Sequence, residues 1–129
     1  ESNPENVLLI PFLSNNDYAY SVSACHVALI SLLEGLEGIA VPSKIIGIMA
    51  AGIPVIAVVP EESEIAMMLK EEECGIIVKP GDITSLIEAI LLLKSNPNLC
   101  KQLGLKGRSA FEKKYTTKLI SEKYTSIIE

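Results

Sequence analysis

The stretch "VPSKIIGIMAAGIPVIAVVPEESE", Val41 to Glu64, decides how the rest of the chain is read. Within it 16 consecutive residues, Ile45 to Pro60, carry no charge; the run starts directly after Lys44 and ends at Glu61, Glu62 and Glu64. A bilayer-spanning helix needs about 20 apolar residues, and Gly47, Gly52 and Pro54 interrupt this run, so a membrane span is excluded. The punctuation instead predicts a helix and then a strand. Pro42-Ser43-Lys44 opens the helix with Ser43 as N-cap, Gly52 closes it as a C′ glycine, and Pro54 forbids continuation. Pro54 to Val59, "PVIAVV", is then a buried strand.

Working outward, the same alternation continues. "NVLLIPF" predicts a strand over Val7–Ile10, stopped by Pro11; polar "SNND" then leads into a short helix ending near Cys25. Val27–Leu32 is a second strand and the glycine-punctuated Leu33–Gly38 a loop. After the central stretch come a helix over Glu61–Glu73, a strand over Cys74–Lys79, and a "PGD" turn whose Asp82 caps a helix running to about Lys94. Two further helices are expected, over about Leu99–Leu105 and Lys106–Ile128, the last with Phe111, Tyr115, Leu119, Tyr124 and Ile127 at helical spacing. Strands alternating with helices mean an α/β domain built on a parallel sheet. The aliphatic composition agrees: 49% hydrophobic but only 5% aromatic residues suits strands covered on both faces.

The net charge of −5 argues against non-specific nucleic-acid binding. Its distribution is more informative: residues 1–64 hold eight acids and one base, whereas residues 65–129 hold eight acids and ten bases. The single early cation is Lys44. A lysine in the first turn of a helix opposes the helix dipole, by about 0.3–1 kcal/mol. Beside free backbone N–H groups and a serine hydroxyl it instead helps to build an anion site. A surface lysine snorkelling away from the helix end remains open as the plainer reading.

Ligands of open α/β sheets bind at the carboxyl ends of strands. The loop entering the "PSK" helix lies there, and its Glu34 and Glu37 can accept from paired sugar hydroxyls or stand as solvated loop acids. Glu61, Glu62 and Glu64 follow the next strand and equally suit the acidic first turn of a helix. His26, the only histidine, reads as structural, leaving little for a zinc site or a serine–histidine dyad. Cys25, Cys74 and Cys100 are scattered and read as reduced core thiols. The polar, acidic "ESNPEN" start predicts no signal peptide, and neither a GxGxxG nor a P-loop pattern is present.

Taken together, "VPSKIIGIMAAGIPVIAVV", "CGIIVKPGDITSLIEAI" and "NPNLCKQLGLKGRSAFEKKYT" resemble the C-terminal half of GT-B glycosyltransferases, closest to the retaining family 4 (group 1) enzymes of polysaccharide and lipopolysaccharide biosynthesis. The likeness runs from about Asn6 to the C-terminus. It implies a partial Rossmann-like sheet with a long C-terminal helix, and a donor site for a nucleotide diphosphate sugar of the UDP or GDP type. By position it assigns donor binding to Glu34 or Glu37, Gly38, Ser43, Lys44 and Glu64. The catalytic residues stay unassigned, and no metal or cofactor is expected. The acceptor would be a glycan or a lipid-linked molecule, in a cytoplasmic protein, with a membrane-peripheral placement open for a full-length parent.

Two departures from the family pattern stand out. Where the family has a glutamate, seven residues and a second glutamate that holds the donor ribose, this chain has Ile39 and Gly47. The acceptor domain and the first two strands of the donor domain have no counterpart either. The expectation is therefore an incomplete nucleotide-sugar-binding domain over residues 1–129, inactive by itself. The missing strands would lie between Val7–Ile10 and Val27–Leu32, leaving a bare edge that invites homodimerisation. Two alternatives stand beside the transferase of hexosyl groups: a sugar-nucleotide epimerase of the same fold, and a non-catalytic α/β binding or association module, which Gly47 favours.

Overall fold

In the computed structural model, residues 4–32, 35 and 43–128 are described. Their element order is α1 (Asn15–Ser23), β1 (Ala28–Ser31), α2 (Lys44–Ala51), β2 (Val55–Val58), α3 (Glu64–Glu72), β3 (Gly75–Val78), α4 (Ile83–Ser95) and α5 (Pro97–Ala110). A single π-helical segment, Phe111–Tyr115, then leads to α6 (Thr117–Ile128). The sheet is parallel with order β1-β2-β3, in a register that pairs Ile30 with Ala57 and Ala57 with Ile77. This is the expected α/β architecture, a partial Rossmann-like sheet flanked by helices.

The central strand explains the long uncharged run. Val55, Ile56 and Ala57 are each at most 1% exposed, because successive side chains of β2 enter two different cores. Val55 and Ala57 join Ile45, Met49, Ile65, Ala66 and Leu69 on one face; Ile56 joins Val78, Ala89 and Leu93 on the other. Each large aliphatic chain so buried contributes about 1.5–3 kcal/mol. Helix α2 presents Ile45, Ile48 and Met49 to the first core and stops where Gly52 takes φ +71°, a left-handed conformation that favours glycine. Burial thus clamps α2 to β2 along its length, which fixes the position of its first residue, Lys44.

Helices α2 and α5 cross at close range. A Cβ on Gly104 would meet the Gly52 carbonyl oxygen at 2.0 Å, so only glycine permits this approach. Arg108, one turn further along α5, donates to the Ala50 carbonyl at the end of α2 and pairs with Glu112 at 2.7 Å. The sequence reading placed a helix break in "LGLKG"; the structure keeps α5 helical through it, because its glycines serve contact rather than termination. The break comes instead at the π segment and at Thr116, which turns extended (ψ 147°) and accepts from the Leu119 N–H at 3.4 Å.

Two further expectations are corrected. Val7–Ile10 forms no strand; Leu8 and Leu9 are 81% and 74% exposed. β1 and β3 are the outer strands, no strand pairs with residues 7–10, and strand propensity without a partner does not hold an isolated strand. Cys25 is exposed rather than in the core, since α1 buries none of its residues. Cys74 is buried, and burial pushes its thiol up to about 11. No described helix is long and apolar enough to cross a membrane.

Candidate functional site

The carboxyl end of β1 faces the start of α2 across a concavity of about 520 Å³. Its walls are Leu29, Ile30 and Ser31 of β1, Ser43, Lys44 and Ile48 around the start of α2, and Tyr18 of α1. The sheet supplies the floor, α2 the cation and α1 an aromatic side wall. Ser43 and Lys44, neighbours in the chain, both line it. Glu34, Glu37 and Gly38 lie outside the described residues.

Ser43 occupies the N-cap position of α2, but its side chain makes no capping hydrogen bond. The reason is its backbone. Ser14 and Ser63 have extended ψ values of 159° and 150° and cap Asp17 and Ala66, whereas Ser43 is already helical at ψ −22°. A helical residue aims its hydroxyl away from the N–H groups of the first turn. Its hydroxyl and the orphan N–H groups of α2 are left for other partners. Lys44 is exposed and, like Lys94, Lys101, Lys113, Lys118 and Lys123, forms no ion pair among the described residues, whereas Lys70, Lys79, Lys106 and Lys114 do.

A second, smaller concavity of about 290 Å³ lies at the carboxyl ends of β2 and β3, between Pro60, Glu61, Glu62, Lys79 and Pro80. Glu61 stands 3.7 Å from Lys79 and 3.9 Å from Lys70, long exposed pairs worth little in solution. Glu64 lines neither concavity. It is the first residue of α3, behind the buried N-cap Ser63, rather than a loop residue. His26 sits at the opposite, amino end of β1, on the rim of an apolar cavity of about 640 Å³ floored by Val27, Leu29 and Ile56. Among the described residues no cluster of histidine, cysteine and acidic side chains could hold a metal ion.

Gly47 faces α1 across a fourth hollow, shared with Tyr18, Ala19, Val22, Ser23, Ala50 and Ala51. A Cβ there would touch nothing within 4 Å. Sequence reasoning missed Tyr18. Its signal was present, since an aromatic residue in the first turn of a polar helix has no apolar stripe to join, but "SNNDYAYS" looked like capping alone.

The family described as "Glycosyl transferases group 1" matches residues 1–110. A protein of Pseudomonas aeruginosa described as "Probable glycosyltransferase WbjE" is 31% identical over 113 residues, which cover 84% of this chain and 27% of that protein. The chain thus spans about a quarter of that relative's length. No solved structure matches it. A match over residues 1–110 takes in the sheet, helices α1 to α5 and the concavity at Lys44, and the chain therefore belongs to the group 1 glycosyl transferases.

Proposed function

We propose that the concavity at Lys44 binds the diphosphate of a nucleotide sugar, UDP- or GDP-linked, in a retaining glycosyltransferase that builds a glycan or a lipid-linked saccharide. The observation that carries this reading is the Ser43–Lys44 pair: a cation, a hydroxyl and helix N–H groups without a side-chain cap, none of them paired with a side chain among the described residues, converge at the carboxyl end of β1. Each of these favours an anion, and a diphosphate can take all three. When the bond from the sugar carbon to the β-phosphate oxygen breaks, its electron pair stays with the diphosphate. A lysine fixed at that point stabilises the growing charge without moving. Chemistry of this kind calls for no metal beside it.

In this reading residues 1–129 are part of a nucleotide-sugar-binding domain, and the acceptor is held by protein beyond this chain. Glu34, Glu37 and Gly38 belong to the donor loop, and Glu64 stands at the next strand end along. The free edge of β1 pairs with a second strand, from a homodimer or from the rest of a longer protein. A non-catalytic module of the same fold is the second reading, favoured by Gly47, which puts no carboxylate where the family holds ribose.

Calorimetric titration of the chain with UDP, GDP and their hexose conjugates tests the proposal. Lys44→Ala should weaken nucleoside diphosphate binding by about 10- to 100-fold, the worth of a hydrogen bond to a charged group. Equal binding by wild type and variant would refute a role for Lys44.

A further inference from the structure

Tyr18 and Lys44 do more than line the concavity at β1. Both also line a neighbouring one of about 530 Å³, so the two hollows meet along this pair. Their linings differ in chemistry. On the β1 side stand Ser31 and Ser43; on the other stand Pro11 and Phe12, together with Asn15 and Ser21. A ligand held across the pair has its charge at Lys44, the shared point, and a flat, apolar-faced part beyond it.

We propose that Tyr18 positions the nucleobase of the donor, by stacking in the hollow toward Phe12, and that Asn15 and Ser21 face the edge of the base. This rests on the donor-site reading above and goes beyond it by saying where the base lies. A sugar suits the second hollow less well. Neither hollow is lined by a carboxylate among the described residues, but the β1 hollow has the Ser31 and Ser43 hydroxyls beside Lys44, whereas Ile10, Pro11, Phe12 and Leu13 make the second the more apolar of the two. A base presents a π-face to an aromatic ring and a donor–acceptor edge to an amide such as Asn15. Tyr18 is also free for this work. The residue is 41% exposed, its hydroxyl makes no hydrogen bond with any described residue, and α1 buries none of its residues.

The experiment compares UDP, GDP and inorganic pyrophosphate as ligands of wild type, Tyr18→Ala and Tyr18→Phe, each shown to be folded by its thermal melt. Base stacking on an aromatic residue predicts that Tyr18→Ala loses about 5- to 100-fold in affinity for UDP or GDP. Its affinity for pyrophosphate should stay at the wild-type value, and Tyr18→Phe should bind all three like wild type. Two outcomes overturn the assignment: Tyr18→Ala binding the nucleotides as wild type does, or losing pyrophosphate to the same degree. Wild type that binds pyrophosphate no more weakly than UDP and GDP also overturns it, while leaving the diphosphate site standing. Wild type that binds none of the three removes the donor-site reading and this inference together.

Discussion

Gly104 and Gly107 lie three residues apart on α5, and only one of them has room for a side chain. At Gly104 a Cβ would press on the Gly52 carbonyl, 2.0 Å from its oxygen and 2.9 Å from its carbon, which is backbone and cannot swing aside as a side chain could. At Gly107 the nearest atoms are the Cys74 Cβ at 3.5 Å and the Met49 Cα at 3.7 Å, ordinary contact distances. Gly104→Ala should therefore lower stability by about 3 kcal/mol or more, at the upper end of overpacking costs. Gly107→Ala should be neutral or gain up to about 1 kcal/mol from helix propensity. Chemical denaturation of the two variants decides between them. Ser63→Ala, which strips the only buried capping hydroxyl among the described residues, should cost about 1–2 kcal/mol, whereas Ser43→Ala should cost nothing measurable, because the Ser43 side chain makes no capping hydrogen bond. Gly47→Glu should fold as well as wild type, since a Cβ there meets open space. If the family's ribose contact can be restored, the variant should also bind UDP or GDP more tightly.

At the scale of elements, ion pairs tie α5 and the π segment to α3. Lys114 Nζ donates to Glu71 at 2.8 Å and also to Glu72, and Lys106 pairs with Glu73 at 2.7 Å. Lys114 hydrogen-bonded to Glu71, and Lys106 to Glu73, hold those two carboxyls below the usual range; Ser85 does the same for Asp82, the cap of α4. A depressed folded pKa stabilises above the unfolded value and loses that stabilisation as pH falls through the folded one. Melting temperature should therefore be flat through neutral pH and fall below about pH 4, where free carboxyls begin to protonate. The combined Glu71→Gln, Glu73→Gln, Asp82→Asn variant should show a shallower acid limb. An identical limb would mean that other groups govern acid unfolding.

At the scale of the whole molecule, no strand among the described residues covers the outer edge of β1, and Leu29 on it is 59% exposed. An unpaired parallel edge with an apolar residue invites association, which a charge opposes. Sedimentation should show self-association rising with concentration, and Leu29→Lys should suppress it; a monomer at all concentrations would leave the edge to other parts of a longer protein. The layered architecture was legible because the uncharged run of β2 and the Gly52–Pro54 stop are local signals of burial and termination. The fate of Val7–Ile10 was not, since a strand exists only where an edge receives it, and no local pattern carries that information. Nor was the long α5, because a glycine that breaks a helix and one that lets two helices touch look alike in sequence. At the proposed site, the isolation of Lys44 in an acidic half was legible, and the residue lines a concavity at the end of β1. The free hydroxyl of Ser43 and the position of Tyr18 depend on backbone angles and on how α1 leans on α2.

The central claim is that an anionic donor group sits at Lys44, between α1 and α2. Amide chemical-shift mapping of the labelled chain with UDP and GDP tests it most directly. The account predicts shifts at Tyr18, Ser31, Ser43 and Lys44 that disappear in Lys44→Ala. A folded chain with no shifts at millimolar ligand, or with shifts gathered at Glu61 and Lys79 or around His26, would contradict it.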